Sequence, residues 1–323
     1  MHQTLKIKYS FLKILTGWDL SRRRLPIMIA DSGRKGPLLW LTACCHGDEV
    51  GGIVIIQDVF KKIRKNNSLL KGALYAFPLM NPIGFETQTR NITFSKEDLN
   101  RSFPGNPKGS LGERIADIIF STIVNTSPTL VIDLHNDWIR SIPYALLDPD
   151  PGPEHTGMYN KTKMFAQKTG FLVIRDTEEL HRSLSYSLQR RHIPSLTLEL
   201  GESYVINEEN IEFGVKSIEN IMAYLGMTDD SNDLFQYTLP NGIERKIFKY
   251  YAKPYSSTIG IIRFLVKPGQ AVKKEQPIAK IYSAFGKLQE TMQAMEDGIV
   301  LGHTDTSVAF PGKPIMAFGI NEW

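Results

Sequence analysis

Along the first two-thirds of the chain, apolar residues fall into two alternating textures. Short apolar runs at Pro26–Asp31, Leu38–Ala43, Leu74–Pro78, Leu130–Leu134, Phe171–Arg175 and Ser195–Leu200 read as strands, several of them continuous enough to be buried on both faces. Between them, Val50–Ile63, Leu111–Val124 and Asn160–Lys168 repeat apolar residues at helical spacing. A further helix is marked at both ends. Asn207 can cap it, Glu208 and Glu209 suit its first turn, Ile211, Val215, Ile218 and Met222 share one face, and Gly226 stops it. Strands alternating with helices predict an α/β fold, a mixed but mostly parallel sheet flanked by helices.

After Gly226 the texture changes. Thr228–Asp233 is polar and turn-rich and reads as a linker. Short strands follow at Tyr250–Pro254, Gly260–Val266, Pro277–Tyr282, Gly298–Gly302 and Pro314–Phe318, with Gly and Pro between them. The pattern predicts a smaller C-terminal all-β barrel or sandwich domain, with a boundary that separates residues 1–230 from 231–323. A chain of 323 residues agrees with that division, since domains usually run to about 100–200 residues.

Composition narrows the function classes. The net charge of +4 is small, and the runs Arg22–Arg24 and Arg190–Arg191 are too short for a nucleic-acid face. Cys44 and Cys45 are adjacent and diverge in a strand, so no disulfide framework is expected and a reducing compartment fits. Met1–Leu20 lacks the continuous apolar core of a secretory signal, and no stretch approaches the ~20 apolar residues of a membrane span. The expectation is a soluble cytoplasmic protein that binds neither nucleic acid nor membrane.

The chemistry concentrates at strand ends. In Leu38–Gly52 an apolar strand runs into His46-Gly47-Asp48-Glu49, and His46 and Glu49 can converge across the turn. A catalytic zinc site needs three protein ligands, and His135 supplies the third, delivered by the strand Val131–Leu134, if the two strands are neighbours. Asp133 shares the strand face of His135 and can orient it. Glu199 lies inside the apolar strand of PSLTLELG, where a carboxylate is costly unless paired or placed near a metal. There it suits a general base that activates water. The loop EDLNRSFPG offers Asn100 and the planar fork of Arg101 for a substrate carboxylate, and Arg90 can polarise a carbonyl. Each feature has a plainer reading: a hydrogen-bonded loop histidine, a sheet-edge glutamate, or surface arginines.

Five stretches in order, HGDE at His46–Glu49, NPIGF at Asn81–Phe85, DLNRSFPG at Asp98–Gly105, DLH at Asp133–His135 and LELG at Leu198–Gly201, resemble the succinylglutamate desuccinylase/aspartoacylase family, relatives of the zinc carboxypeptidases. The resemblance implies one Zn2+ per chain on His46, Glu49 and His135, Glu199 as general base, and Asn100 and Arg101 as a carboxylate clamp. It implies Arg90 as the carbonyl-polarising arginine, although the spacing to the clamp is longer than in aspartoacylase. The implied activity is hydrolysis of an N-acyl amino acid or related N-acylated amine. The C-terminal third resembles the biotinyl/lipoyl-like barrel appended to predicted deacylases, and whether it shapes the active-site mouth or builds a homo-oligomer is left open. Three rivals stand beside this reading. They are a zinc carboxypeptidase acting on peptides, a thiol hydrolase built on Cys45 and His46, and a non-catalytic binding or carrier module using Lys287.

Overall fold

Burial on both faces makes the central strands what they are. The computed structural model describes residues 5, 7–16, 22–66, 68–69, 71–177, 180–229, 234–241, 243 and 246–321. The expected linker, Thr228–Asp233, lies from residue 230 onward outside the described residues. In chain order the first part comprises β1 (Ile7–Thr16), β2 (Arg22–Asp31), β3 (Leu38–Ala43), α1 (Gly51–Asn66), β4 (Ala73–Phe77), α2 (Pro82–Thr87) and α3 (Leu111–Asn125). It continues with β5 (Leu130–Asp137), β6 (Arg140–Ser141), β7 (Tyr144–Leu147), α4 (Thr156–Lys168), β8 (Leu172–Arg175), α5 (Leu184–Gln189), β9 (Ser195–Glu202) and α6 (Glu208–Tyr224). The expected strands and helices all reappear within a few residues. Strand β1, the short β6 and β7 and the six-residue helices α2 and α5 are additions that the hydrophobic pattern does not isolate.

The large sheet runs β1-β2-β4-β3-β5-β9-β7-β8, and its centre, β4, β3, β5 and β9, is parallel. Antiparallel neighbours at β1–β2, β2–β4 and β9–β7 make the sheet mixed. Alternate residues of β3 serve two cores. Leu39, Leu41 and Ala43 meet α1 and α6, whereas Trp40 meets the layer of α3 and α5. Ile55, Val59 and Phe60 of α1 and Val215, Ile218 and Met222 of α6 complete the first layer. Each such side chain contributes about 1.5–3 kcal/mol relative to exposure, enough to fix which face of every strand turns inward. The helix read from Asn207 forms as expected, with the Asn207 side chain accepting from the Glu209 and Asn210 N–H groups.

The C-terminal strands are β10 (Ile247–Tyr251), β11 (Gly260–Phe264), β12 (Ala271–Val272), β13 (Pro277–Tyr282), β14 (Leu288–Gln293), β15 (Gly298–His303), β16 (Val308–Ala309) and β17 (Met316–Asn321). Strands β10, β17, β15 and β12 continue the large sheet beyond β8, and β14-β13-β11-β16 form a separate antiparallel sheet. A core of Ile262, Ile278, Ile281, Met292, Val300 and Phe318 lies between these two layers, which gives this part the character of a sandwich. Among the described residues no helix is long and apolar enough to cross a membrane.

His303 lies at the end of β15, facing the second sheet of this sandwich. Its ring stacks on Phe264 with centroids 4.0 Å apart, and its strand partner is Arg140. Burial and the Arg140 guanidinium, opposed by the Val266 carbonyl, push the imidazole down from 6.5 to about 4. A folded value below the unfolded one means that the neutral ring stabilises the fold above about pH 6.5, and that this contribution is lost as pH falls towards 4. Urea midpoints should therefore drop less between pH 7 and pH 4.5 in His303→Phe, which keeps the stacked ring, than in the parent protein. Equal drops would show that His303 does not carry the effect.

Candidate active site

The loop after β3 is built by backbone contacts. At the strand end Cys44 takes a left-handed φ of 54°, and the Ala43 and Cys44 carbonyls accept from the Met80 and Asn81 N–H groups at 3.0 and 2.9 Å. Gly47 donates to the Thr89 carbonyl at 3.0 Å, and a Cβ there would lie 2.0 Å from the Gly84 carbonyl carbon. Only glycine allows that approach. The NPIGF stretch, read from sequence as a loop, is the buttress: it opens α2, whose first turn is capped by Asn81 Oδ1 accepting from Gly84 N at 2.8 Å. The second expected loop contains a 3-10 turn at Leu99–Arg101, capped by Asp98.

Strand β3 lies beside β5, with Ala43 opposite Leu134, so His46, Glu49 and His135 meet at one rim of the sheet. His46 Nδ1 is 2.6 Å from Glu49 Oε1, and His135 Nδ1 is 2.8 Å from Glu49 Oε2. The far nitrogen of each ring faces a carboxylate: His46 Nε2 lies 3.2 Å from Asp98 Oδ1, and His135 Nε2 lies 2.9 Å from Asp133 Oδ2. Asp133 is itself held by the Thr42 hydroxyl, which donates at 2.7 Å. Carboxylates on both Nε2 atoms select the tautomer that leaves a lone pair on Nδ1. In that tautomer two imidazole lone pairs and a carboxylate are presented to one point, with all three ligand atoms within 4.8 Å and all three residues at most 3% exposed. Without a metal these contacts can be closed by protons on the imidazoles; with the rings neutral, the donor chemistry and count fit a divalent metal of the zinc type. Burial opposes the charge on Glu49, but the two imidazoles hold its carboxyl well below the usual range. Burial also opposes protonation of His135, and there Asp133 and Glu49 prevail and raise it.

The next strand brings in the fourth expected residue. β9 runs parallel to β5 with Glu199 opposite His135, and β7 sets Tyr144 opposite Glu199 from the other side. Burial, reinforced by Asp137 and Glu49 against His135 and Arg90, raises the Glu199 carboxyl well above the ordinary range. Asp137, also raised by burial, accepts from the Tyr144 hydroxyl at 2.9 Å. Asp137 escaped the sequence reading, although strand periodicity gives the signal: residues 133, 135 and 137 share one face.

Arg90 and the clamp residues border the same cleft, of about 640 Å3. The Arg90 guanidinium is half-exposed, with Nη1 3.6 Å from Glu49 Oε1 and Nη2 3.2 Å from Asp98 Oδ2. Asn100 Oδ1 accepts from Leu184 N at 3.0 Å, which ties the 3-10 turn to the start of α5 and leaves the Nδ2 side as donor. Arg101 is exposed, braced by its own bond to the Asn100 carbonyl at 2.9 Å. The far wall comes from the C-terminal third, through Lys249, Tyr251, Lys253 and Tyr255. Tyr144 lines the cleft, whereas Arg140, Arg175 and Arg191 do not. Both cysteines are free and buried, and burial raises both thiols, the opposite of what a nucleophilic thiolate needs. Lys287 lies in the turn between β13 and β14 and is not part of the cleft.

Comparison with known proteins agrees with this arrangement. Residues 35–225 match the family model of the succinylglutamate desuccinylase/aspartoacylase catalytic domain. The N-alpha-acetyl-L-2,4-diaminobutyric acid deacetylase of Halomonas elongata is 25% identical over 305 residues, which cover 91% of this chain and 86% of that protein. The crystal structure of succinylglutamate desuccinylase/aspartoacylase from Rhodobacter sphaeroides superposes with a TM-score of 0.81 at 20% identity, covering 98% of this chain and 96% of the other. A metallo-carboxypeptidase from Burkholderia cenocepacia shares the fold more distantly, with a TM-score of 0.53 and 14% identity over 68% of this chain and 64% of its own. With the family model spanning more than half of the sequence, the chain belongs to the succinylglutamate desuccinylase/aspartoacylase family.

Proposed function

We propose that this protein is a zinc-dependent deacylase that hydrolyses an N-acyl amino acid, or a related N-acylated amine, to a carboxylic acid and a free amine. The observation that carries the reading is the convergence of His46, Glu49 and His135 beside Glu199 in one cleft. The two imidazoles and Glu49 would hold one zinc ion, which when bound polarises water and the scissile carbonyl. Glu199 takes the proton from the attacking water and returns it to the leaving nitrogen. A carboxyl raised by burial and by Asp137 suits both halves of that transfer, because it holds a proton more readily than an ordinary glutamate. Arg90, at the cleft mouth and held there by Asp98 and Glu49, stabilises the negative charge that grows on the carbonyl oxygen. Arg101 and Asn100 bind the carboxylate of the amino-acid portion, the former through its planar fork.

The peptide-cleaving alternative is disfavoured by the far wall of the cleft. Tyr251, Lys253 and Tyr255 wall the cleft that holds the ligands, and its volume of about 640 Å3 supports a small substrate over an extended chain. The relative from Halomonas elongata, named for an acetylated diamino acid, supports the same substrate class.

Two substitutions check the roles. Glu199→Gln should keep its metal and lose about 10²–10⁴-fold in kcat on an N-acyl amino acid; turnover near the parent level would remove Glu199 from the chemistry. Arg101→Ala should raise KM for carboxylate-bearing substrates by about tenfold or more, as loss of a charge-assisted hydrogen bond requires. An unchanged KM would refute the clamp.

A further inference from the structure

The chain between β5 and β7 carries two residues that adjoin Glu199. Tyr144 stands opposite Glu199 in the antiparallel pairing of β7 with β9, and its hydroxyl donates to Asp137 at 2.9 Å across seven positions of the chain. Asp137, Tyr144 and Glu199 all line the cleft. Their relative placement is therefore set by the path that the chain takes through residues 137–144.

Most of what holds that path lies in the C-terminal sandwich. Asn136, just before it, donates through Nδ2 to the Gly201 and Glu202 carbonyls at 2.9 and 3.0 Å. Beyond this point the contacts change side. The Ile139 N–H donates to Asp305 Oδ1 at 2.7 Å, and β6 pairs with β15 through Arg140 opposite His303 and Ser141 opposite Gly302. The Ile142 N–H then donates to the Leu301 carbonyl at 2.8 Å. Gly302 lets the two segments approach, since a Cβ there would lie 2.9 Å from Ser141 Cβ and 3.1 Å from Trp138 Cε3. Of these sandwich contacts, only that of Asp305 is a side-chain hydrogen bond, and a charged acceptor makes the stronger kind. It can be removed without touching the strand pairing.

We propose that Asp305 is a positioning residue for Glu199, an inference that rests on the reading of Glu199 as general base. Its bond to Ile139 fixes the turn between β5 and β6, and through that turn the Asp137–Tyr144 pair is set against the glutamate. Proton transfer needs its partners within hydrogen-bond reach, so releasing the turn costs turnover. Asn100 and Arg101 are held by contacts of their own, so substrate binding is spared. The C-terminal sandwich thereby acts on the chemistry as well as on the cleft wall.

The test compares Asp305→Ala with Asp305→Asn on an N-acyl amino acid. Asp305→Ala removes the acceptor and should lower kcat about tenfold, with KM within about twofold of the parent. Asp305→Asn keeps an acceptor oxygen without the charge that faces Asp137, and should restore most of kcat. An unchanged kcat in Asp305→Ala, a loss carried by KM, or an equal loss in Asp305→Asn would overturn the proposal. Amide hydrogen exchange gives a readout that needs no turnover. Exchange across residues 137–144 should quicken about tenfold in Asp305→Ala and stay at the parent rate in Asp305→Asn; unchanged exchange in the first would also overturn it. A parent protein that turns over no N-acyl amino acid would instead defeat the hydrolase reading, and exchange then decides the role of the bond alone. If Asp305→Ala does not fold, Gly302→Ala, which crowds Ser141 from β15, should show the same loss in kcat, and parent-level kcat would overturn the proposal.

Discussion

The parallel register of β3, β5 and β9 is the constraint on which the rest depends. Ala43 stands opposite Leu134, and His135 stands opposite Glu199. Three strands from distant parts of the chain therefore end at one rim, each delivering a polar residue there. A one-residue slip in any pair would turn that residue to the opposite face. The hydrophobic residues that enforce the register, Leu39 and Leu41, Ile132 and Leu134, Leu196 and Leu198, belong to a single core. Packing of the helical layer thus sets the position of the chemistry without touching it.

The same rim gathers an unusual density of charge below the surface. Each ionisable group is made tolerable by a neighbour: Asp133 by His135 and Thr42, Asp98 by His46 and Arg90, and Glu49 by both histidines. The carboxylates behind the rings orient them, and the carboxylate before them completes a cation-binding face. Glu199 stands apart from this network, and burial raises it. A group left in that condition in a cleft is where a substrate proton is expected to enter.

Much of this was legible in the sequence because the chemistry sits at strand ends, where an apolar run stops abruptly on a His or Glu. His46 and His135 announce themselves in that way, Glu49 by following His46 across the turn and Glu199 as a carboxylate inside an apolar strand, and the structure brings them together. Arg90, with the weakest support from spacing, lies within 3.6 Å of Glu49. What escaped detection depends on contacts between remote segments. Asp98 was visible within DLNRSFPG, yet its bond to His46 spans 52 positions. Ile139 and Asp305 are 166 positions apart, and neither shows a local motif. The four-residue strand β7 is too short for periodicity to declare, so the pairing of Tyr144 with Glu199 could not be read. The C-terminal third was legible as short strands, whereas its contribution of Lys249 to Tyr255 to the cleft wall was not.

The central claim is that His46, Glu49 and His135 hold a catalytic metal. Elemental analysis of the protein purified without added metal, beside a folded His135→Ala variant, tests it most directly. The account predicts about one zinc per chain in the parent and its loss from the variant. A parent protein that carries no metal and binds none on titration with zinc would contradict it.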